Sequence, residues 1–130
     1  MSSKRGKILV IDDDGLVLQT ARKLLEREGY HTTPCSNGET ALNLIEKEDF
    51  DIVLCDIRMP RLDGIETAGK IRSFLKAKRR AAIPIIFFTG YADDKAYEEA
   101  KRLGDVLLKP YDIQELFTLV KRHLGSPTNQ

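Results

Sequence analysis

The sequence predicts an α/β fold, an open parallel sheet wound on both faces, and two observations carry that prediction. Four runs are apolar at every position: Ile8-Leu9-Val10-Ile11, Ile52-Val53-Leu54-Cys55, Ile85-Ile86-Phe87-Phe88 and Val106-Leu107-Leu108. Strands without polar alternation suit a parallel sheet covered on both faces. Between the runs, apolar residues recur at helical spacing, so strand and helix alternate five times along 130 residues. A chain of this length forms one domain and buries a real core without disulfides or metal.

The elements follow in order. A first strand over about residues 7–11 leads to a helix over roughly 15–28, with Val17, Ala21, Leu24 and Leu25 on one face. Asp14 stands where an N-cap belongs, and Gly29 stops the helix. The second strand, 31–35, contains Pro34, which has no N–H to donate and so marks a sheet edge. Ser36-Asn37-Gly38-Glu39 reads as a capping box that opens a helix running to about Glu48. The third strand ends at Asp56. The third helix starts after Asp63, with Glu66 three residues on, and runs to about Lys78. A fourth strand lies at 84–88 and a fourth helix at roughly 93–103, capped by Asp93 and closed by Gly104. The fifth strand is short, 106–108. Asp112, with Glu115 three on, caps a last helix whose Ile113, Leu116, Phe117, Val120 and Leu124 form a buried stripe. Right-handed crossovers, with the most apolar strands in the centre, give the flavodoxin-like order 2-1-3-4-5 and a switch point between strands one and three.

In such a sheet the carboxyl ends of the strands border one crevice, where ligands bind. Asp12, Asp13, Asp56, Thr89 and Lys109 all stand at strand ends and are expected to converge there. Carboxylates held side by side repel one another, and Lys109 offsets only part of that charge, so the cluster calls for a cation. Mg²⁺ suits it, being a hard ion that takes oxygen ligands and bridges carboxylates to phosphate. Asp13 and Asp56 are candidate direct ligands, Asp12 a ligand through water, and the main-chain carbonyl of Arg58 a further oxygen. Asp56 is then placed to attack phosphorus and form an aspartyl phosphate. Lys109 neutralises one phosphoryl oxygen and Thr89 donates a hydrogen bond to another.

Composition narrows the field. Lys+Arg 21 against Asp+Glu 20 gives a net charge of +1, so no global field draws nucleic acid or a membrane. No apolar stretch approaches the ~18 residues of a membrane span, and the start lacks the apolar core of a signal peptide. Cys35 and Cys55 read as small core residues of a reduced, cytoplasmic protein. The basic run from Lys76 to Arg80 reads either as the solvated end of a helix or as a docking patch. His31 and His123 are isolated, and His123 sits in a last helical turn where positive charge is favoured.

The motifs, taken together, resemble the receiver domains of two-component response regulators over about residues 5–124. They are Ile11-Asp12-Asp13-Asp14, Cys55-Asp56-Ile57-Arg58-Met59-Pro60 with Asp63-Gly64, Phe88-Thr89-Gly90 and Lys109-Pro110-Tyr111. The resemblance implies that Asp56 is the phosphoacceptor and that Asp12 and Asp13 hold Mg²⁺. It makes Thr89 the switch hydroxyl and Lys109 the phosphate-contacting lysine, joined to Pro110 by a cis bond. It implies a sensor histidine kinase or histidine phosphotransfer protein as donor, and a domain that promotes only its own phosphorylation and dephosphorylation. It is compatible with a homodimer that depends on phosphorylation, and it implies no direct contact with nucleic acid or membrane. Residues 125–130 read as a flexible tail or a linker stub.

One position departs from the family pattern. Receivers usually carry Tyr or Phe three residues before the lysine, where this chain has Val106 after a connection about two residues shorter than usual. Phosphorylation is therefore expected to persist, with an unusual output on the face of helix four, strand five and helix five. Tyr91, or a shift of helix four, takes the role of the missing ring, and Arg58 and Tyr91 flank the site as gates for water. Two alternatives remain at this point. Asp12-Asp13-Asp14-Gly15 is similar to the first motif of haloacid-dehalogenase phosphatases, although no acidic pair follows Lys109 and Asp56 would have no role. A pseudo-receiver that only docks is the other.

Overall fold

A computed structural model describes residues 6–59, 62–90, 93–109 and 111–125. Pro60, Tyr91 and Pro110 lie outside these residues, and with them the expected cis bond, the reporter role of Tyr91 and the tail beyond Gly125. Five strands alternate with five helices: β1 (Lys7–Ile11), α1 (Gly15–Arg27), β2 (His31–Cys35), α2 (Gly38–Lys47), β3 (Ile52–Asp56), α3 (Gly64–Ala77), β4 (Ile85–Thr89), α4 (Asp94–Leu103), β5 (Asp105–Leu108) and α5 (Ile113–Leu124). The strands pair in parallel in the order β2-β1-β3-β4-β5, as expected.

The unbroken apolar runs are explained by the two layers of helices. Ile8, Val10, Ile52, Leu54, Ile86 and Phe88 point to the side of α1 and α5. Their neighbours Leu9, Ile11, Val53, Cys55, Ile85 and Phe87 point to the side of α2, α3 and α4. Every position of β3 and β4 is buried, including the polar residues Asp56 and Thr89 at their ends. Each large aliphatic side chain buried in these strands contributes about 1.5–3 kcal/mol, which is what holds the polar strand ends in register. The β2 edge is half exposed, with Pro34 opposite Val10.

Helix starts follow the predicted caps with one correction. Asp14, Asp63, Asp93 and Asp112 cap α1, α3, α4 and α5, and Asp63–Glu66 and Asp112–Glu115 complete capping boxes. At α2, Asn37 is the cap rather than Ser36; its side-chain oxygen accepts the Thr40 N–H at 2.8 Å. The start is set by packing, because Gly38 is buried where any Cβ would strike the Thr67 hydroxyl of α3. The buried stripe of α1 centres on Leu18 and Leu25, with Val17, Ala21 and Leu24 as its half-buried margin.

Two basic residues are less solvated than the sequence suggests. Arg80 folds back from the end of α3, donating to the carbonyls of Ile45 (2.9 Å) and Glu48 (3.4 Å) and to Asp49 (3.0 Å). It thereby serves the orphan carbonyls at the end of α2. His123 pairs with Asp105 at 3.0 Å, tying the last turn of α5 to the first residue of β5. That strand begins one residue earlier than predicted. Gly104 makes this short connection possible, since a Cβ there would collide with the carbonyl of Ile85.

Candidate functional site

Register brings the acidic residues together. Ile11 lies opposite Cys55, so Asp12 and Asp56 leave adjacent central strands at equivalent positions. Asp13 follows, and one carboxylate oxygen from each of Asp12, Asp13 and Asp56 lies within 4.8 Å of the others. Asp12 and Asp56 are buried, at 1% and 7% exposure, while Asp13 opens to solvent. On the other side, Asp56 pairs with Phe88, the residue before Thr89, and the Lys109 amide donates to the Thr89 carbonyl at 2.7 Å. All five predicted side chains therefore stand along one edge of the sheet.

The electrostatics of the cluster are unbalanced. Asp12 Oδ1 accepts the Asp14 amide at 2.9 Å. Its Oδ2 is buried without a hydrogen-bond partner among the described residues, and the Lys109 ammonium stands 3.9 Å away, too far to donate. Burial, and then the charges of Asp56 and Asp13, push the Asp12 carboxyl up to about 6 against the pull of the Asp14 amide and Lys109. Burial also raises Asp56, opposed chiefly by Lys109 and by the backbone amides of Arg58 and Ile57. An orphaned buried carboxylate oxygen facing two further carboxylates fits a hard divalent cation with oxygen ligands.

Three features escaped the sequence. The Lys109 ammonium sits 5.2 Å from the centre of the Phe88 ring, a cation–π contact that limits where the lysine points. Tyr111 packs beside the acidic residues: burial raises its hydroxyl first, and the charges of Asp12 and Asp56 add to that. Leu16 is 74% exposed at the mouth of an apolar cleft of about 400 Å³ shared by α1, α5 and Lys109. The only signal for it was a leucine standing off the apolar face of α1.

The sequence profile described as the response regulator receiver domain matches residues 8–121. The regulatory protein AtoC of Escherichia coli is 37% identical over 120 residues, which cover 91% of this chain and 25% of AtoC. The chain thus spans about a quarter of that relative's length. The sporulation initiation phosphotransferase F of Bacillus subtilis is 33% identical over 125 residues, covering 95% of this chain and 97% of that protein. Among solved structures, the receiver domain of the sensor histidine kinase PA1611 of Pseudomonas aeruginosa, with magnesium coordinated in its active-site cleft, superposes with a TM-score of 0.80. It is 30% identical, over 94% of this chain and 99% of that one. These matches displace the phosphatase alternative. The chain belongs to the response regulator receiver domain family, whose members are regulatory phosphoacceptor domains rather than enzymes in the usual sense.

Proposed function

We propose that Asp56 is the phosphoacceptor of this domain, which we take to extend over residues 5–124. The observation that carries the reading is the unbalanced acidic cluster, with an orphaned oxygen on Asp12 and a lysine held just out of hydrogen-bond reach. Asp12, Asp13 and Asp56 would hold Mg²⁺, helped by the Arg58 carbonyl, and the bound ion supplies the positive charge that an anionic phosphoryl group requires. The magnesium in the Pseudomonas receiver supports that assignment.

The chain's own residues do the rest. A carboxylate oxygen of Asp56 bonds to phosphorus as the N–P bond of a phosphohistidine breaks, and the imidazole leaves with the electron pair. The Lys109 ammonium turns from Asp12 to a phosphoryl oxygen, and the Thr89 hydroxyl donates to another. A sensor histidine kinase or histidine phosphotransfer protein is the donor, docking a helix on the apolar cleft beside Leu16. The change of state is read on the face of α4, β5 and α5, where half-buried Val106 packs against the α4-side core in place of a ring. No helix among the described residues is long and apolar enough to cross a membrane, and we place the domain in the cytoplasm.

Intact mass after incubation with phosphoramidate tests the proposal, with Mg²⁺ or with chelator, on wild type and Asp56→Asn. A single phosphoryl adduct requiring both Mg²⁺ and Asp56 is expected. A folded, Mg²⁺-binding protein that gains no adduct would make this a docking-only domain.

A further inference from the structure

A second surface lies between α3 and α4, outside the acidic crevice, and it does not depend on the phosphoacceptor reading. Between Glu66 and Asp93 the chain carries six cations and no carboxylate. Among the described residues only Arg80 of the six holds an ion pair; Arg72, Lys76 and Arg79 are exposed. Cations in the last turn of a helix favour its dipole, which accounts for Lys76, but Lys70 and Arg72 lie upstream of that turn. The whole chain is only +1, so this concentration is local and the remainder is net acidic.

Arg72 and Lys76 rim a groove of about 520 Å³ between α3 and α4, which the ion-paired Arg80 also lines, floored by Leu75, Leu103 and Gly69. Gly69 is the telling residue. It stands inside a helix, where glycine is unfavourable, yet a Cβ there would meet nothing within 4 Å. No packing contact of the fold therefore calls for it, and a longer side chain there would extend into the groove.

We propose that this groove is a docking site for an acidic, amphipathic helical segment of a partner protein. An apolar floor with a cationic rim is complementary to apolar anchors at i, i+3, i+4 and i+7 flanked by carboxylates. Single-stranded nucleic acid fits less well, because it needs aromatic faces for stacking. No aromatic ring lines the groove among the described residues, and Phe74 on the same helix is half-buried under Lys78 and Arg80.

The test is fluorescence anisotropy with a labelled Glu/Leu amphipathic peptide of roughly four helical turns. A version with leucine replaced by serine and a labelled oligo(dT) of matched charge are run beside it. The proteins are wild type, Arg72→Glu with Lys76→Glu, Gly69→Gln, and Lys23→Glu as a cationic control on α1. Gly69→Gln fills the groove without changing charge and favours the helix. Saturable binding of the leucine peptide is expected, weakened roughly tenfold by the double reversal and by Gly69→Gln but not by Lys23→Glu. The serine peptide and oligo(dT) should bind at least about tenfold more weakly. Thermal unfolding confirms that each variant is folded. Absence of saturable binding, or equal affinity in the groove variants, would overturn the proposal. Tighter binding of oligo(dT) would overturn it in favour of a nucleic-acid surface.

Discussion

Asp12→Asn is predicted to stabilise the protein at neutral pH when no divalent cation is present. Wild-type Asp12 is 1% exposed, and its carboxyl is raised from 3.8 to about 6, foremost by burial. A carboxyl of raised pKa favours the folded state while protonated. That advantage is full below about pH 4 and is lost as pH rises through 6. At about 1.4 kcal/mol per pH unit the gap amounts to about 3 kcal/mol. The crevice is open to water beside exposed Asp13, so about 2–3 kcal/mol is the working figure. Asparagine keeps the shape and the acceptor for the Asp14 amide and removes the charge. For a chain of this length the gain corresponds to roughly 7–11 °C in melting temperature. The assay is thermal unfolding of both proteins in chelator from pH 4 to pH 8. The difference should be near zero at pH 4, open as pH rises to 6, and stay level above. Added Mg²⁺ should raise the wild type and leave the variant nearly unmoved. A variant less stable than wild type at pH 7.5 in chelator, or a difference independent of pH, would show that the Asp12 charge does not destabilise the fold.

Other predictions follow from single contacts. Alanine at Gly104 or Gly64 drives a Cβ into the carbonyl of Ile85 or of Asp56, so each should cost about 1–3 kcal/mol by urea unfolding. Only Gly64→Ala should also slow phosphorylation, since it displaces the loop after Asp56. Leu16→Asp should slow phosphotransfer from a phosphohistidine protein about tenfold or more, while the phosphoramidate rate stays as in wild type. An equal loss with both donors would remove Leu16 from the docking surface. On phosphorylation, amide chemical shifts should move most in α4, β5 and α5 despite Val106; changes spread evenly over the domain would contradict an output on that face.

The fold was legible because its signals are local. Apolar runs with no alternation announce buried parallel strands, and an aspartate before each of four helices announces their starts. The candidate site was legible for the same reason, since strand ends in a parallel sheet share one edge. What the sequence hid depends on contacts between distant residues. Ser36 and Asn37 are both good caps, and only the seat of Gly38 against Thr67 decides between them. Arg80 looks like one more cation in a basic run until the end of α2 comes within its reach. His123 likewise has no visible partner until β5 lies beside α5. The orphaned oxygen of Asp12 is a matter of tenths of an ångström, which no spacing encodes.

Of three carboxylates that stand together, one is proposed to take the phosphoryl group. Borohydride reduction of the phosphorylated protein, followed by peptide mass mapping, addresses this directly, because it converts an aspartyl phosphate to homoserine at the residue that carried it. Homoserine is expected at position 56 alone, in a Mg²⁺-dependent yield. Homoserine at position 12 or 13, with Asp56 intact, would contradict it.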